Sequence, residues 1–152
     1  MVSQFEVTEL SQKPAVSIST KCPVQKLPQV MSEAFGKMQT YLDEIGEQPD
    51  GPPYILYFNE DMQNLDVEIG LPVRKALRGY NEIESNYTLG GSAASCLYQG
   101  PYNELETAYA QLAEFLQKEG LTPKGIACEV YINDPGDTAP QNLLTKVMFA
   151  LA

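Results

Sequence analysis

The sequence contains no histidine and no tryptophan, only three cysteines, and ten Lys and Arg against twenty Asp and Glu. The missing histidine excludes Ser–His and Cys–His catalysis and most zinc sites. The cysteines, Cys22, Cys96 and Cys128, are odd in number and far apart with no CxxC, so neither a disulfide framework nor a metal knuckle is expected. They read as small buried residues rather than nucleophiles. A net charge of −10 leaves no basic face to displace counterions, which argues against direct nucleic-acid binding. An acidic field attracts cations, although acidity alone more often serves solubility. Long apolar runs are also missing. The longest, Leu143 to Ala152, is broken by Thr145 and Lys146 and is too short to span a bilayer. The N-terminus MVSQFEVTEL lacks the basic-then-apolar pattern of a signal peptide. The expectation is a cytoplasmic protein without membrane segment, metal or cofactor.

What is present begins with an internal duplication. Residues 22–59 set against 96–133, an offset of 74 without gaps, give nine identities in 38 pairs, among them Ala34/Ala108, Leu42/Leu116, Gly46/Gly120, Pro49/Pro123 and Tyr57/Tyr131. Chance would supply about two or three at ordinary residue frequencies. Other pairs keep their character, such as Phe35/Tyr109 and Met38/Leu112. Two copies cannot make a solenoid, so the repeat predicts a single pseudo-twofold domain over 1–152, with copies at about 1–74 and 79–152 and a cleft at the seam.

Each copy reads alike. Helices are predicted at about 28–45 and 102–119, the second with Leu105, Tyr109, Leu112 and Leu116 on one face. Asn103 and Glu106 have capping-box spacing, and Gly46 and Gly120 stand where a left-handed terminal residue is wanted. Strands follow at Tyr54–Asn59 and Ile126–Asn133, then at Asp66–Val73 and Leu144–Leu151. Before each helix a hairpin is expected, Phe5–Leu10 with Val16–Cys22 and Ile83–Leu89 with Ala93–Gln99 through Gly90-Gly91. The sum is an α+β fold of two pseudo-symmetric repeats, each a βαββ unit led by one further strand, giving eight mostly antiparallel strands with two helices on the outer side.

Alternation along a strand puts Cys128, Val130 and Ile132 on one face and Glu129, Tyr131 and Asn133 on the other. The all-apolar face suits packing under the helix, as do Leu56 and Phe58 in the first copy and, on the next strand, Val67, Ile69 and Leu71. The tyrosine-bearing face would then line a cleft. The repeat acts as a control here. Tyr57 and Tyr131 are equivalent, but Glu129 has Ile55 as its partner. A carboxylate therefore appears once where the scaffold accepts an apolar residue, and burying it costs several kcal/mol unless it is paired or hydrogen-bonded. A bound cation is one compensation; a tyrosine hydroxyl, a water or shallow burial are the others. The nine tyrosines and five phenylalanines supply ring faces for a cation. The candidate ligand contacts are Glu129, Tyr131, Tyr57, Tyr98, Tyr102 and Phe35. Tyr98 and Tyr102 flank the Gly100-Pro101 turn. Phe35 and Tyr109, at equivalent helix positions, more often serve a core.

The segments Cys96-Leu-Tyr-Gln-Gly-Pro-Tyr102, Cys128-Glu-Val-Tyr-Ile-Asn-Asp-Pro135, Tyr57-Phe-Asn-Glu60 and Asp66-Val-Glu-Ile-Gly-Leu-Pro-Val73 together resemble the GyrI-like small-molecule-binding family. That family includes the effector-binding domains of some AraC-type and MerR-type regulators. The resemblance, over essentially the whole chain, implies a cleft whose central glutamate meets cationic, often aromatic, drug-like ligands. By motif match that glutamate is Glu129. Lys146 stands where relatives often carry an acid, and would weaken cation binding if it shared the cleft. No room remains beside the duplicated domain for a helix-turn-helix module, so a stand-alone sensor or sequestering protein is expected. Two other functions are implied by the resemblance. One is hydrolysis of strained electrophilic compounds, with Glu129 as base, its pKa raised by burial, and Tyr102 or Tyr98 as proton donor. The other is inhibition of a protein partner through an acidic surface. Homodimerisation is left open.

Overall fold

The computed structural model describes residues 1–152. Its elements are β1 (Val2–Leu10), β2 (Pro14–Cys22), α1 (Leu27–Glu44), β3 (Tyr54–Tyr57), β4 (Leu65–Pro72), β5 (Glu84–Tyr87), β6 (Gly91–Gln99), α2 (Glu106–Glu119), β7 (Pro123–Tyr131) and β8 (Leu144–Leu151). The α+β class, the two helices and all eight strands agree with the sequence reading. No helix is long and apolar enough to cross a membrane. The chain forms two compact units, one of residues Met1–Ser11 with Gly90–Ala152, the other of Gln12–Leu89. We call them the first and the second unit.

In the first unit the strands run β1-β6-β8-β7, every pair antiparallel. In the second they run β5-β2-β4-β3, again all antiparallel. The expected hairpins do not form. β1 pairs with β6, Leu10 opposite Gly91 and Thr8 opposite Ala93, while β5 pairs with β2, Tyr87 opposite Pro14. Each copy's first strand thus takes the place beside the other copy's second strand. The residues joining β1 to β2, Ser11-Gln12-Lys13, lack the Asn or Gly that a tight hairpin turn requires. An exchanged strand presents the same side chains to the same kind of neighbour, so the hydrophobic pattern is identical in both arrangements.

A bulge adapts β1 to its place. The register shifts between Ser3 and Glu6, and Gln4 there has φ of 56°. The extra residue lets both Val2 and Phe5 turn toward α2, where Phe5 meets Phe115 at 5.6 Å between ring centroids. The core of the first unit is Ala94, Cys96, Tyr98 and Val147 of the strands beneath Leu105, Ala108, Leu112 and Leu116. The helical residues recur at three and four, which is the period of one face.

The helix termini follow local chemistry in part. Gly120 closes α2 at φ of 67°, with the Leu121 N–H donating to Leu116 O at 2.9 Å. The capping box is absent: no side chain caps α2, which is entered through a single 3-10 turn, Tyr102–Glu104, started by Pro101. Proline's fixed φ and missing N–H make it a helix starter without a side-chain cap. A matching turn, Val24–Lys26, follows Pro23 and leads into α1. Since α1 has 18 residues and α2 has 14, the first helix carries one additional turn. The gap-free alignment therefore holds from the helices into β3 and β7 but not before them. Pro23 corresponds to Pro101, and the Cys22/Cys96 and Gln25/Gln99 identities are coincidental.

All three thiols are buried, and burial pushes that of Cys96 up to about 11. They are unsuited to nucleophilic work at neutral pH. The exchanged pairing has a direct test in the exposed contact where Ser92 Oγ donates to Glu9 Oε2 at 2.7 Å. Glu9→Cys with Ser92→Cys should close a disulfide under mild oxidation, read by a gel-mobility shift. Failure to close would contradict the β1–β6 pairing.

Candidate functional site

The registers decide which residues share a face. Glu129 pairs with Val147, which pairs with Cys96; Tyr131 pairs with Thr145, which pairs with Tyr98. Val147, Cys96 and Tyr98 all belong to the core beneath α2. The Glu129 and Tyr131 face is therefore the helix side, opposite to the sequence expectation. The second unit has the same arrangement, Ile55 paired with Ile69 and Tyr57 with Val67, whereas Leu56 shares the other face with Glu68. Phe58 and Ile132, past the strand ends, are 40% and 45% exposed and lie in neither core. The assignment failed because both faces are buried: Cys128 and Met148 lie on one, Glu129 and Val147 on the other. Alternation then carries no label for which face meets the helix.

Glu129 sits mid-strand at 6% exposure. Its Oε2 accepts the hydroxyl of Tyr109, from the second turn of α2, and its Oε1 accepts the hydroxyl of Tyr131 at 2.7 Å. Charge-assisted hydrogen bonds of this kind offset the desolvation of a buried carboxylate. Around them stands a layer of rings. Tyr102 lies edge-on to Tyr131 at 5.5 Å, and Tyr109 lies 5.9 Å from Phe149. Burial, then the charges of Asp134 and Glu129, push the Tyr102 phenol above its ordinary range, so it is a neutral hydroxyl at physiological pH.

The structure thus brings Glu129, Tyr131 and Tyr102 together and adds Tyr109. Tyr98 shares the face, but its hydroxyl donates to Pro101 O at 2.8 Å and its ring is 3% exposed. A Cβ at Gly100 would come within 2.6 Å of that hydroxyl, so the Gly100-Pro101 turn is built around Tyr98. Tyr57 and Phe35 lie in the second unit, at the positions equivalent to Tyr131 and Tyr109. Lys146 pairs with Val130 and Leu97, one position out of phase with Glu129, and so projects from the opposite face. It does not share the Glu129 face.

Tyr109 was legible as a pair of differences. Where the second unit has Ile55 in place of Glu129, it has Phe35 in place of Tyr109. The carboxylate and the hydroxyl that reaches it come and go together.

The second unit has its own half-buried carboxylate. Glu68 takes the Asn86 amide on Oε1 at 3.1 Å, and burial pushes its pKa up. An open groove of about 620 Å³ lies against α1, lined by Glu33, Lys37, Tyr41, Tyr80 and Glu82 among others. It contains none of the residues singled out from the sequence.

The model of the GyrI-like small-molecule-binding domain matches residues 3–152. The chain belongs to that family. No curated protein matches it in sequence. Among solved structures, GyrI-like or otherwise, the cryo-EM complex of EcmrR with DNA matches with a TM-score of 0.84 at 17% identity, over 97% of this chain. This chain spans 57% of that one. The isolated EcmrR C-terminal domain matches with a TM-score of 0.82 at 19% identity, covering 100% and 99% of the two chains. A hydrolase from Listeria innocua gives 0.70 at 14%, covering 99% and 92%. SAV2435, solved with tetraphenylphosphonium bound, gives 0.70 at 11%, covering 98% and 94%. Likeness at these identities establishes the fold.

If the two tyrosines carry the cost of burying Glu129, removing one should be felt. Tyr109→Phe should destabilise the protein by about 1–3 kcal/mol in urea unfolding, and by much less in a Glu129→Leu background. Additive losses would contradict a shared network.

Proposed function

We propose that this GyrI-like domain binds small aromatic cations against Glu129, with Tyr131, Tyr102 and Tyr109 as ring contacts. The observation that carries the reading is a carboxylate buried mid-strand on the helix-side face, in one unit only, whose oxygens are held by two tyrosine hydroxyls. Such a carboxylate supplies counter-charge in a poorly solvated setting, where it acts far more strongly than at a surface. The rings add cation–π attraction of about 0.5–2 kcal/mol each. Glu129 is nearly covered, so a ligand reaches it only when Tyr102 and Tyr131 swing aside. The tyrosines keep the carboxylate satisfied until then.

SAV2435 binds a lipophilic aromatic cation on the same fold, which favours this ligand class. The outcome of binding, whether sensing or sequestration, follows from the partner or process the ligand serves. Hydrolysis would need Glu129 to accept a proton from water. The layer of rings around Glu129 suits a cation more directly than a water nucleophile, so we carry binding as the reading.

Calorimetry with tetraphenylphosphonium and neutral triphenylphosphine oxide tests the charge role. Glu129→Gln should weaken the cation at least tenfold, about 1.4 kcal/mol, and leave the neutral compound unchanged. Equal affinity of wild type and variant for the cation would contradict the proposal.

A further inference from the structure

Thr145 is a second polar residue under α2 that the fold itself does not use. It is 0% exposed, and its hydroxyl has no hydrogen-bond partner. An orphaned buried hydroxyl costs about 1–3 kcal/mol, so native structures seldom keep one without a purpose. It lies on the helix-side face directly opposite Tyr131, whose hydroxyl reaches Glu129. Glu129 faces Val147, two residues along β8, which makes Thr145 its diagonal neighbour. Diagonal positions are within reach of long side chains and of an atom held between them.

The duplication again supplies the control. Tyr131 pairs with Thr145 as Tyr57 pairs with Val67, so Val67 is the equivalent residue. Valine has nearly the shape of threonine without the hydroxyl, and Val67 is fully buried. The scaffold therefore accepts the apolar isostere here. Three positions now differ in the same sense: Glu129, Tyr109 and Thr145 in the first unit stand against Ile55, Phe35 and Val67 in the second. The first two are joined by a hydrogen bond, and the third adjoins them without a partner.

We propose that Thr145 is a specificity-determining residue of the Glu129 site, accepting a hydrogen bond from a ligand N–H and so selecting cations with more than one N–H. This rests on the cation-binding reading above. A primary ammonium or an amidinium can donate one N–H to Glu129 and another to Thr145 Oγ1. A tertiary ammonium spends its single N–H on the carboxylate, and a phosphonium has none. For these the hydroxyl remains unpaired. The natural ligand class is then a protonated primary amine or amidine carrying aromatic rings, with quaternary cations as weaker substitutes.

The test compares benzhydrylammonium with N,N-dimethylbenzhydrylammonium by calorimetry on wild type, Thr145→Val, Thr145→Ser and Glu129→Gln. Wild type should favour the primary ammonium by about tenfold. Thr145→Val should bring that ratio to about one without weakening the dimethyl compound, and Thr145→Ser should restore it. In the absence of ligand, Thr145→Val should melt at or above the wild-type temperature. An unchanged ratio in Thr145→Val, or a lowered melting temperature, overturns the role of Thr145 while cation binding lost in Glu129→Gln still stands. Failure of both ammonium ions to bind a wild type that still binds tetraphenylphosphonium overturns the N–H selectivity alone, and failure of all three cations overturns the two proposals together.

Discussion

The arrangement depends on keeping one carboxylate away from water. Glu129 occupies the middle of a strand beneath a helix, where its counterpart in the duplicated half is isoleucine. An unpaired ion there would cost several kcal/mol. The fold meets that cost with two phenol hydroxyls, one from the helix above and one from the same strand two residues on. Both donors need exact placement. The 3-10 turn that starts at Pro101 sets where α2 begins, and hence where Tyr109 falls relative to β7. Tyr98, locked to the Pro101 carbonyl, fixes that turn from below. The bulge at Gln4 brings Phe5 under the far end of the same helix. Features that look unrelated along the chain converge on holding α2 over Glu129.

Duplication makes this legible. Two copies of one topology share their helix spacing, their strand registers and the tyrosine at 57 and 131. What differs between them is not needed by the fold. The differences that matter are polar for apolar at three positions, one on α2 and two on the strands beneath it. A protein that keeps a buried carboxylate and a buried unpaired hydroxyl where its other copy has isoleucine and valine gives up stability, the usual companion of a functional site.

Much of this was readable beforehand, for physical reasons. Helix spacing and Gly/Pro punctuation located α1, α2 and most strands, and β8 was placed to the residue. Glu129 stood out because the repeat supplied its isoleucine control. Tyr109 did not, since a tyrosine on an apolar helix face reads as core until its phenylalanine counterpart is set beside the Glu129/Ile55 pair. The faces of β3 and β7 were exchanged because burial on both sides erases the amphipathic label. The hairpins were misassigned because strand exchange preserves every local contact that a sequence pattern encodes. The one-turn difference in helix length stayed hidden behind two chance identities, at Cys22 and Gln25.

The most direct measurement is a crystal structure with tetraphenylarsonium, in which the anomalous signal of arsenic marks the position of the cation. The account predicts an arsenic peak within about 6 Å of the rings of Tyr131 or Tyr102, on the side of the Glu129 carboxylate, with those rings turned from their ligand-free positions. An arsenic peak confined to the groove along α1 between Tyr41 and Glu82, with Glu129 still covered by its tyrosines, would contradict it.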